Sequence, residues 1–327
     1  MSSYNVVEIH SPARVHISLV CMGSNNFRSN GGAGFAISGF DTIVKAVKSS
    51  KMKLRVQGVL KLENSLKKKI LDLEAYLIDF CTINKFSPAA ICVEDLPQRN
   101  SGFGTGTSLE LSCIEALYLI NNVDYQPSDI INSTRRGRTS GVGIHTYFEG
   151  GFVVDLGHPP KDKLVQSSMG LRSEALPLKL GRWDFPDWNI GIIEPCQKLL
   201  PKHYIDETEF FQNNCNLTVS DMSKISFFLI FGLLPGIIER NFEKFSLAIN
   251  SIQKTKWKKS EIDQYGDLLP HIFSALMAKG VTTAGLSSMG PMVYFLSDAP
   301  VDNINNNSIG DVKMVSPNNA GRKVVRC

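Results

Sequence analysis

The chain has 327 residues, of which 43% are hydrophobic, and carries 35 Lys and Arg against 31 Asp and Glu, a formal net charge of +4. That length allows two lobes around a large core, and so mild a charge, with no block of five or six like charges, excludes the basic stripe of a nucleic-acid binder. Seven cysteines without a CxxC pair exclude a disulfide framework and a structural zinc site, and with no basic leader and no run of about 18 consecutive apolar residues they point to a soluble, cytoplasmic chain with no membrane partner.

Val6 to Val20 alternates apolar and polar residues and reads as a strand, followed by strands at Thr42 to Val47 and Met52 to Gly58. Helical spacing with an Asn cap covers Asn64 to Asn84, and "PAAICVEDL" returns as a strand. From Thr107 the pattern is helical, with Leu109, Leu111, Cys113, Ile114, Leu117 and Tyr118 on a broad buried face. A short helix follows Pro127, then the loop "RRGRTSGVG" and a hairpin-like pair in "IHTYFEGGFVVDLGH". The prolines and lysines of Pro159 to Asp187 mark a lobe boundary, giving an N-terminal lobe over 1–170 and a C-terminal lobe over 171–327. In the second lobe, "SDMSKISFFLIFGLLPGIIERNFEKFSLAI" reads as two helices interrupted at Gly232 and Pro235. "GVTTAGLSSMGPMVYFLSD" then runs through a Gly and Ser loop into a strand, and "GDVKMVSPNNAGRKVV" supplies a last strand and tail.

The stretch "LPQRNSGFGTGTSLELSCIEAL", Leu96 to Leu117, has the chemistry of an anion cradle. Gly102, Gly104 and Gly106 let successive amides turn inward, and the helix near Thr107 aims free amides and the positive end of its dipole at the same space. Thr105, Thr107 and Ser108 add hydroxyls that can donate to phosphate or ligate magnesium. With no Lys after the last Gly, it is not the GxxxxGK[ST] loop; a Gly-rich turn entering a buried helix is the plain alternative. Alternation on the first strand puts Arg14, His16 and Ser18 on one face and Val15 and Ile17 on the other, so Arg14 and His16 can reach a common anion, His16 also as an acid or base. In "RRGRTSG", Arg135, Arg136 and Arg138 stand beside Thr139, Ser140 and Gly141, suited to bidentate contacts with phosphate or carboxylate, or else to a solvated surface loop.

The order "PARVHISL", "GGAGFAI", "PQRNSGFGTGTS", "RRGRTSGVGIHTYFEGGF" and "GLSSMGPMVYFL", spanning Pro12 to Tyr294, resembles the GHMP small-molecule kinase superfamily, and within it the β-ribofuranosylaminobenzene 5'-phosphate synthase branch. The resemblance implies an α+β, two-lobed GHMP-type fold, with an N-terminal lobe like ribosomal protein S5 domain 2 and a ferredoxin-like C-terminal lobe. The superfamily's phosphate loop, PxxxGLGSS, falls on Gly102 to Thr107, with Phe103 and Thr105 as mild changes, and "GFGTGTS" is closer to the synthase spelling GLGSGTQ. Its kinases read SGxD where this chain reads "SGVG", so Gly143 stands in the place of the acid that serves the phosphate-accepting hydroxyl. No carboxylate stands near Ile131 and Asn132, where those kinases carry a magnesium-binding Glu. Two missing groups make phosphoryl transfer from ATP a poor expectation for a retained phosphate scaffold.

By resemblance the substrates are 5-phosphoribosyl 1-diphosphate and an aromatic carboxylic acid such as 4-hydroxybenzoate or 4-aminobenzoate. A C-riboside forms, pyrophosphate and carbon dioxide leave, and in that branch the product feeds methanopterin biosynthesis. Breaking the bond to pyrophosphate calls chiefly for anion donors. Arg14, His16 and Arg136 are the matched catalytic candidates, Arg136 within a motif whose second Gly is replaced by Arg138. Asp155 and His158 of "VVDLGH" match the family's DGGH, except that Leu156 stands for the first Gly, and are expected to line or support the pocket, able to bind metal or move the arene proton. Gly32, with Gly31 and Gly34, allows close approach of the aromatic acid or ribose, or forms a simple turn. Ser287 and Ser288 in "GLSSMGP" match the third motif and donate to the diphosphate or hold the first loop in shape. Magnesium is the expected counterion, with Thr107 and Ser108 as ligands, and the family's homodimer is expected. The competing readings are a C-nucleoside synthase acting on a heteroaromatic acid, an ATP-dependent kinase with Asp155 as the base, and a phosphometabolite-binding protein.

Overall fold

A computed structural model describes residues 6–23, 27–57, 64–97, 102–135, 140–160, 175–201, 207–301, 304 and 309–326. Two sheets organise the chain. The larger contains β1 (Val6–Cys21), β2 (Asn30–Lys48), β3 (Lys53–Val56), β4 (Ala89–Asp95), β5 (Phe152–Asp155), β6 (Lys179–Trp183) and β11 (Lys323–Arg326), and its main path runs β11-β1-β2-β4-β3. The smaller is antiparallel, in the order β10 (Asp311–Val315), β7 (Asn189–Glu194), β9 (Val293–Ser297), β8 (Thr283–Leu286). The α+β reading holds. The lobe boundary at 170/171 lies outside the described residues; beyond it, β6 and β11 both join the larger sheet.

β2 is long enough to divide its partners. Its far half pairs with β4, and its near half, Gly32 to Phe35, pairs with β5, Asp155 to Phe152. On its other side His16 faces Gly34 and Leu19 faces Gly32. Residues 31–34 are therefore strand rather than turn. A register shift between His16 and Ser18 breaks the expected alternation of β1, so Arg14 and His16 share a face with Leu19 and not with Ser18.

Helices α1 (Asn64–Asn84), α2 (Thr105–Ile120), α3 (Pro127–Asn132) and α4 (Gly141–Glu149) accompany the larger sheet. α2 is the central member, with Leu109, Leu111, Cys113, Ile114 and Leu117 in the same core as Val7, Val44 and Ile91. "IHTYFE" is helical and not the first arm of a hairpin. Ser140 caps α4 by accepting from the Gly143 amide (3.3 Å), and the turn to β5 is made at Gly150 and Gly151, both at positive φ.

The second half carries α5 (Glu207–Asn214), α6 (Val219–Phe228), α7 (Leu234–Ile238), α8 (Phe242–Gln253), α9 (Lys256–Asp263) and α10 (Leu268–Met277). A π turn over Leu229–Leu233 joins α6 to α7. Gly232 and Pro235 therefore do not separate two helices; Pro235 sits in the first turn of α7, where its missing N–H costs little. The break comes later, at Arg240 and Asn241, and Asn241 caps α8. The joined run Val219–Ile238 is long and apolar enough, by length and composition, to cross a membrane. Ser220, Asp221, Ser223 and Lys224 interrupt it, which is why a consecutive-residue reading passes over it. Ile225 is buried, Leu229, Leu233 and Ile237 pack into the core between the sheets, and Phe227, Phe231 and Ile238 are exposed.

Candidate active site

Three strands and the start of one helix converge on one cleft. Arg14, His16 and Leu19 of β1, Asn30 and Gly31 of β2, Ser140 and Gly141 of α4, and Asp155 of β5 line it, closed by Phe211, Glu261, Ser288 and Met289. The strand register explains the meeting: β2 lies between β1 and β5, and its glycines let the neighbouring strand and His16 pack closely against it. A Cβ at Gly34 would lie 2.3 Å from the Val15 carbonyl oxygen, and one at Gly32 would lie 3.0 Å from His16 Nε2.

The phosphate loop adjoins this cleft through Arg14. Gly104, at φ 79, is the N-cap of α2, so the free amides of the first turn face away from the helix. Arg14 Nη1 donates to the Gly102 carbonyl (2.8 Å), and the Arg14 amide donates to the Phe103 carbonyl (3.0 Å). Phe103 is buried and stacks on Phe40 with ring centroids 4.5 Å apart, which anchors the loop from below. Thr105 Oγ1 donates to the Pro97 carbonyl (3.3 Å), so this hydroxyl braces the loop. Gly106, Thr107 and Ser108 occupy the first turn of α2, the two hydroxyl residues nearly buried.

Ser287 ties the third motif to the first. Its hydroxyl donates to the Gly102 carbonyl (2.8 Å) and accepts from the His16 amide (3.0 Å), while the Ser288 amide donates to the His16 carbonyl (2.9 Å). Ser287 thus shapes the loop, and Ser288 lines the cleft.

The electrostatics set two proton states. His16 is buried, and desolvation first, then the charges of Arg14 and Lys258, hold its pKa well below the usual imidazole range. It is a neutral ring, and its Nδ1 has no hydrogen-bond partner among the described residues. Asp155 is pushed the other way, up to about 7, because burial outweighs the bonds it accepts from the backbone of Gly157 and Val142 and the charge of Arg28. It sits against the start of α4: a Cβ on Gly141 would be 2.4 Å from its carboxyl carbon. A carboxylate thus reaches the N-terminus of α4 from β5, although position 143 has none.

Several expected residues stand elsewhere. His158 is buried behind the cleft, bridged to Ser29, with its Nδ1 3.1 Å from the Ala175 carbonyl, and does not line the cleft. Arg136, Arg138, Thr139 and Ser101 lie outside the described residues. Arg135 binds Glu110, which is buried on α2 one turn past Thr107 and lies outside the stretch around Ile131 where the resemblance places a carboxylate. Sequence reading also missed Asn30, Phe211, Met289 and the buried pair Lys258 and Glu261 (2.6 Å). The pair's i,i+3 spacing was its one local signal. Among the described residues no group of three or more His, Cys, Asp or Glu could hold a metal ion.

No family model matches the chain. It is 30% identical over 300 residues to the beta-ribofuranosylphenol 5'-phosphate synthase of Archaeoglobus fulgidus, covering 90% of this chain and 88% of that protein. The enzyme of the same name from Methanothermobacter thermautotrophicus is 27% identical over 306 residues, covering 90% of each. Among solved structures, homoserine kinase from Cytophaga hutchinsonii superimposes with a TM-score of 0.66 at 17% identity over 99% of both chains. Mevalonate diphosphate decarboxylase from Staphylococcus aureus gives 0.66 at 11% identity over 98% of both. The two structural likenesses establish the GHMP fold, and the level and span of sequence identity establish the family: this chain is an enzyme of the beta-ribofuranosylphenol 5'-phosphate synthase family.

Proposed function

We propose that the chain joins 5-phosphoribosyl 1-diphosphate to 4-hydroxybenzoate or 4-aminobenzoate, releasing pyrophosphate and carbon dioxide. The observation that carries this reading is the clamp of Arg14 on the Gly102 loop at the start of α2, beside a cleft whose acid, Asp155, is largely protonated below about pH 7. The name of the relatives supports a product made of ribose phosphate and a phenol.

In the proposed step the bond from the anomeric carbon to the diphosphate oxygen breaks, and its electron pair leaves with pyrophosphate. The ring carbon bearing the carboxylate forms the new bond to the anomeric carbon. Loss of carbon dioxide returns an electron pair to the ring, so no ring proton has to leave. A base is useful at the para substituent, whose deprotonation makes the ring a better nucleophile; Asp155 has a pKa suited to that transfer, whereas the lowered pKa of buried His16 makes it a poor acceptor. Arg14 and the α2 amides stabilise the departing diphosphate. Magnesium belongs to the same proposal. Thr107 and Ser108 offer it hard oxygen ligands at the phosphate loop, with the diphosphate and water completing its shell. The homodimer rests on the family resemblance, and the cytoplasmic setting on the scattered cysteines without a CxxC pair.

A kinase reading has one observation in its favour, the Asp155 carboxylate at the start of α4. Purified chain with magnesium, given either phosphoribosyl diphosphate plus each acid or ATP plus candidate alcohols, separates the two. Pyrophosphate and carbon dioxide in equal amounts support the synthase; ADP in the second tube with neither product in the first overturns it.

A further inference from the structure

The Leu286–Ser288 turn rests on an ion buried beneath it. Lys258, on α9, is 0% exposed, and its ammonium donates to Glu261 Oε2 (2.6 Å), the Leu286 carbonyl (2.7 Å) and the Ser288 carbonyl (3.1 Å). An ammonium has three protons. All three are spent within the protein, so Lys258 has none to offer a ligand. The carbonyls it holds flank Ser287, which joins the His16 amide to the Gly102 carbonyl, the same oxygen that Arg14 grips. Tyr265 braces the other end of the turn by donating to the Met289 carbonyl. Glu261 is both the counterion of Lys258 and a wall of the cleft.

Stability alone gives no reason for an ion pair here. Two charges removed from water cost several kcal/mol, and well-packed apolar residues in place of a buried pair are often neutral or stabilising. What an apolar pair cannot do is hold two main-chain carbonyls at fixed points.

We propose that Lys258 is a positioning residue: by fixing the Leu286–Ser288 turn it sets the spacing between His16 and the phosphate loop, and so the fit of the site to a diphosphate. The choice of diphosphate rests on the proposed function; the mechanical link does not.

The test compares the full chain with Lys258→Met/Glu261→Met, which removes both charges. Two quantities are read: amide hydrogen exchange in segments 102–108 and 286–290, and calorimetric affinity for inorganic pyrophosphate with magnesium. A folded double variant should melt somewhat below the parent, because the Leu286 and Ser288 carbonyls lose their donor. Its 102–108 segment should exchange faster by about tenfold or more, with a similar loss in pyrophosphate affinity, equivalent to about 1.4 kcal/mol. Lys258→Arg, which keeps the charge, should recover part of both. Unchanged exchange over 102–108 in the folded double variant overturns the proposal. Should that variant not fold, Lys258→Gln, whose amide keeps two donors, carries the same readouts. A parent chain that ignores pyrophosphate overturns the diphosphate reading, while the exchange result still decides the role of Lys258.

Discussion

Gly141 and Asp155 share one volume: a side chain at 141 would occupy the space of the Asp155 carboxyl group, with a Cβ-to-carbon distance of 2.4 Å. Gly141→Ala should therefore displace the acid from the start of α4. A shift of this kind near reacting groups costs about 10²-fold in rate. Steady-state turnover of the proposed synthase reaction, with circular dichroism to confirm folding, checks it. Unchanged turnover in a folded variant removes Asp155 from the chemistry.

The same acid leaves a mark on stability. In the folded chain Asp155 has a pKa of about 7 against an ordinary 3.8, so the folded state binds the extra proton between about pH 4 and pH 7. Its favourable contribution is fully present below pH 4 and is lost as pH rises through 7, amounting to at most about 4 kcal/mol. Asp155→Asn has no such titration. Across that window the parent should lose stability relative to the variant, and denaturant midpoints at pH 4.5, 6 and 8 measure the divergence. Parallel curves contradict it.

Ser287 couples residues 271 and 185 positions away in sequence, His16 and Gly102. Ser287→Ala leaves the buried His16 amide without its acceptor, at a cost of about 1–3 kcal/mol. The variant should also bind the diphosphate substrate more weakly, because the phosphate loop loses its tie. Urea unfolding and KM for that substrate read the two effects separately.

Position 143 gives a specificity test. A Cβ there would lie 2.8 Å from Ser140 Oγ, so Gly143→Asp disturbs the cap of α4 and should cost about 1 kcal/mol. It should not create a kinase, since Glu110 remains bound to Arg135 and supplies no metal site. An ADP assay with the variant, ATP and candidate alcohols is expected to stay at background. ADP formation there would show that the glycine alone withholds phosphoryl transfer.

Glu115 is 0% exposed and accepts from Arg322 Nη2 (2.6 Å), Tyr125 (2.5 Å) and Tyr147 (2.6 Å), joining α2, the turn before α3, α4 and the residue that precedes β11. Arg322→Met leaves that carboxylate buried without its cation, a loss of about 3 kcal/mol. Thermal denaturation should show a clear drop in the midpoint, and none if the tail is a passive edge.

Local order was legible in the sequence: β1, the full span of α1, the helix after the Gly-rich loop and the absence of an acid at 143 all follow from spacing and residue type within a few positions. The misreadings came where short-range signals competed. "IHTYFE" has strand-forming residues, yet the Ser140 cap and core burial of Ile144 and Tyr147 make it helical. Gly232 and Pro235 resemble a break, and a π turn carries the helix past them. What only the tertiary structure decided is the meeting of distant groups: the register of β2 with β1 and β5 sets Asp155 near His16, and α9 slides Lys258 under Ser287. Local preferences act through neighbouring backbone sterics and hydrogen bonds, whereas a contact across tens to more than a hundred residues depends on how whole sheets and helices bury their apolar faces.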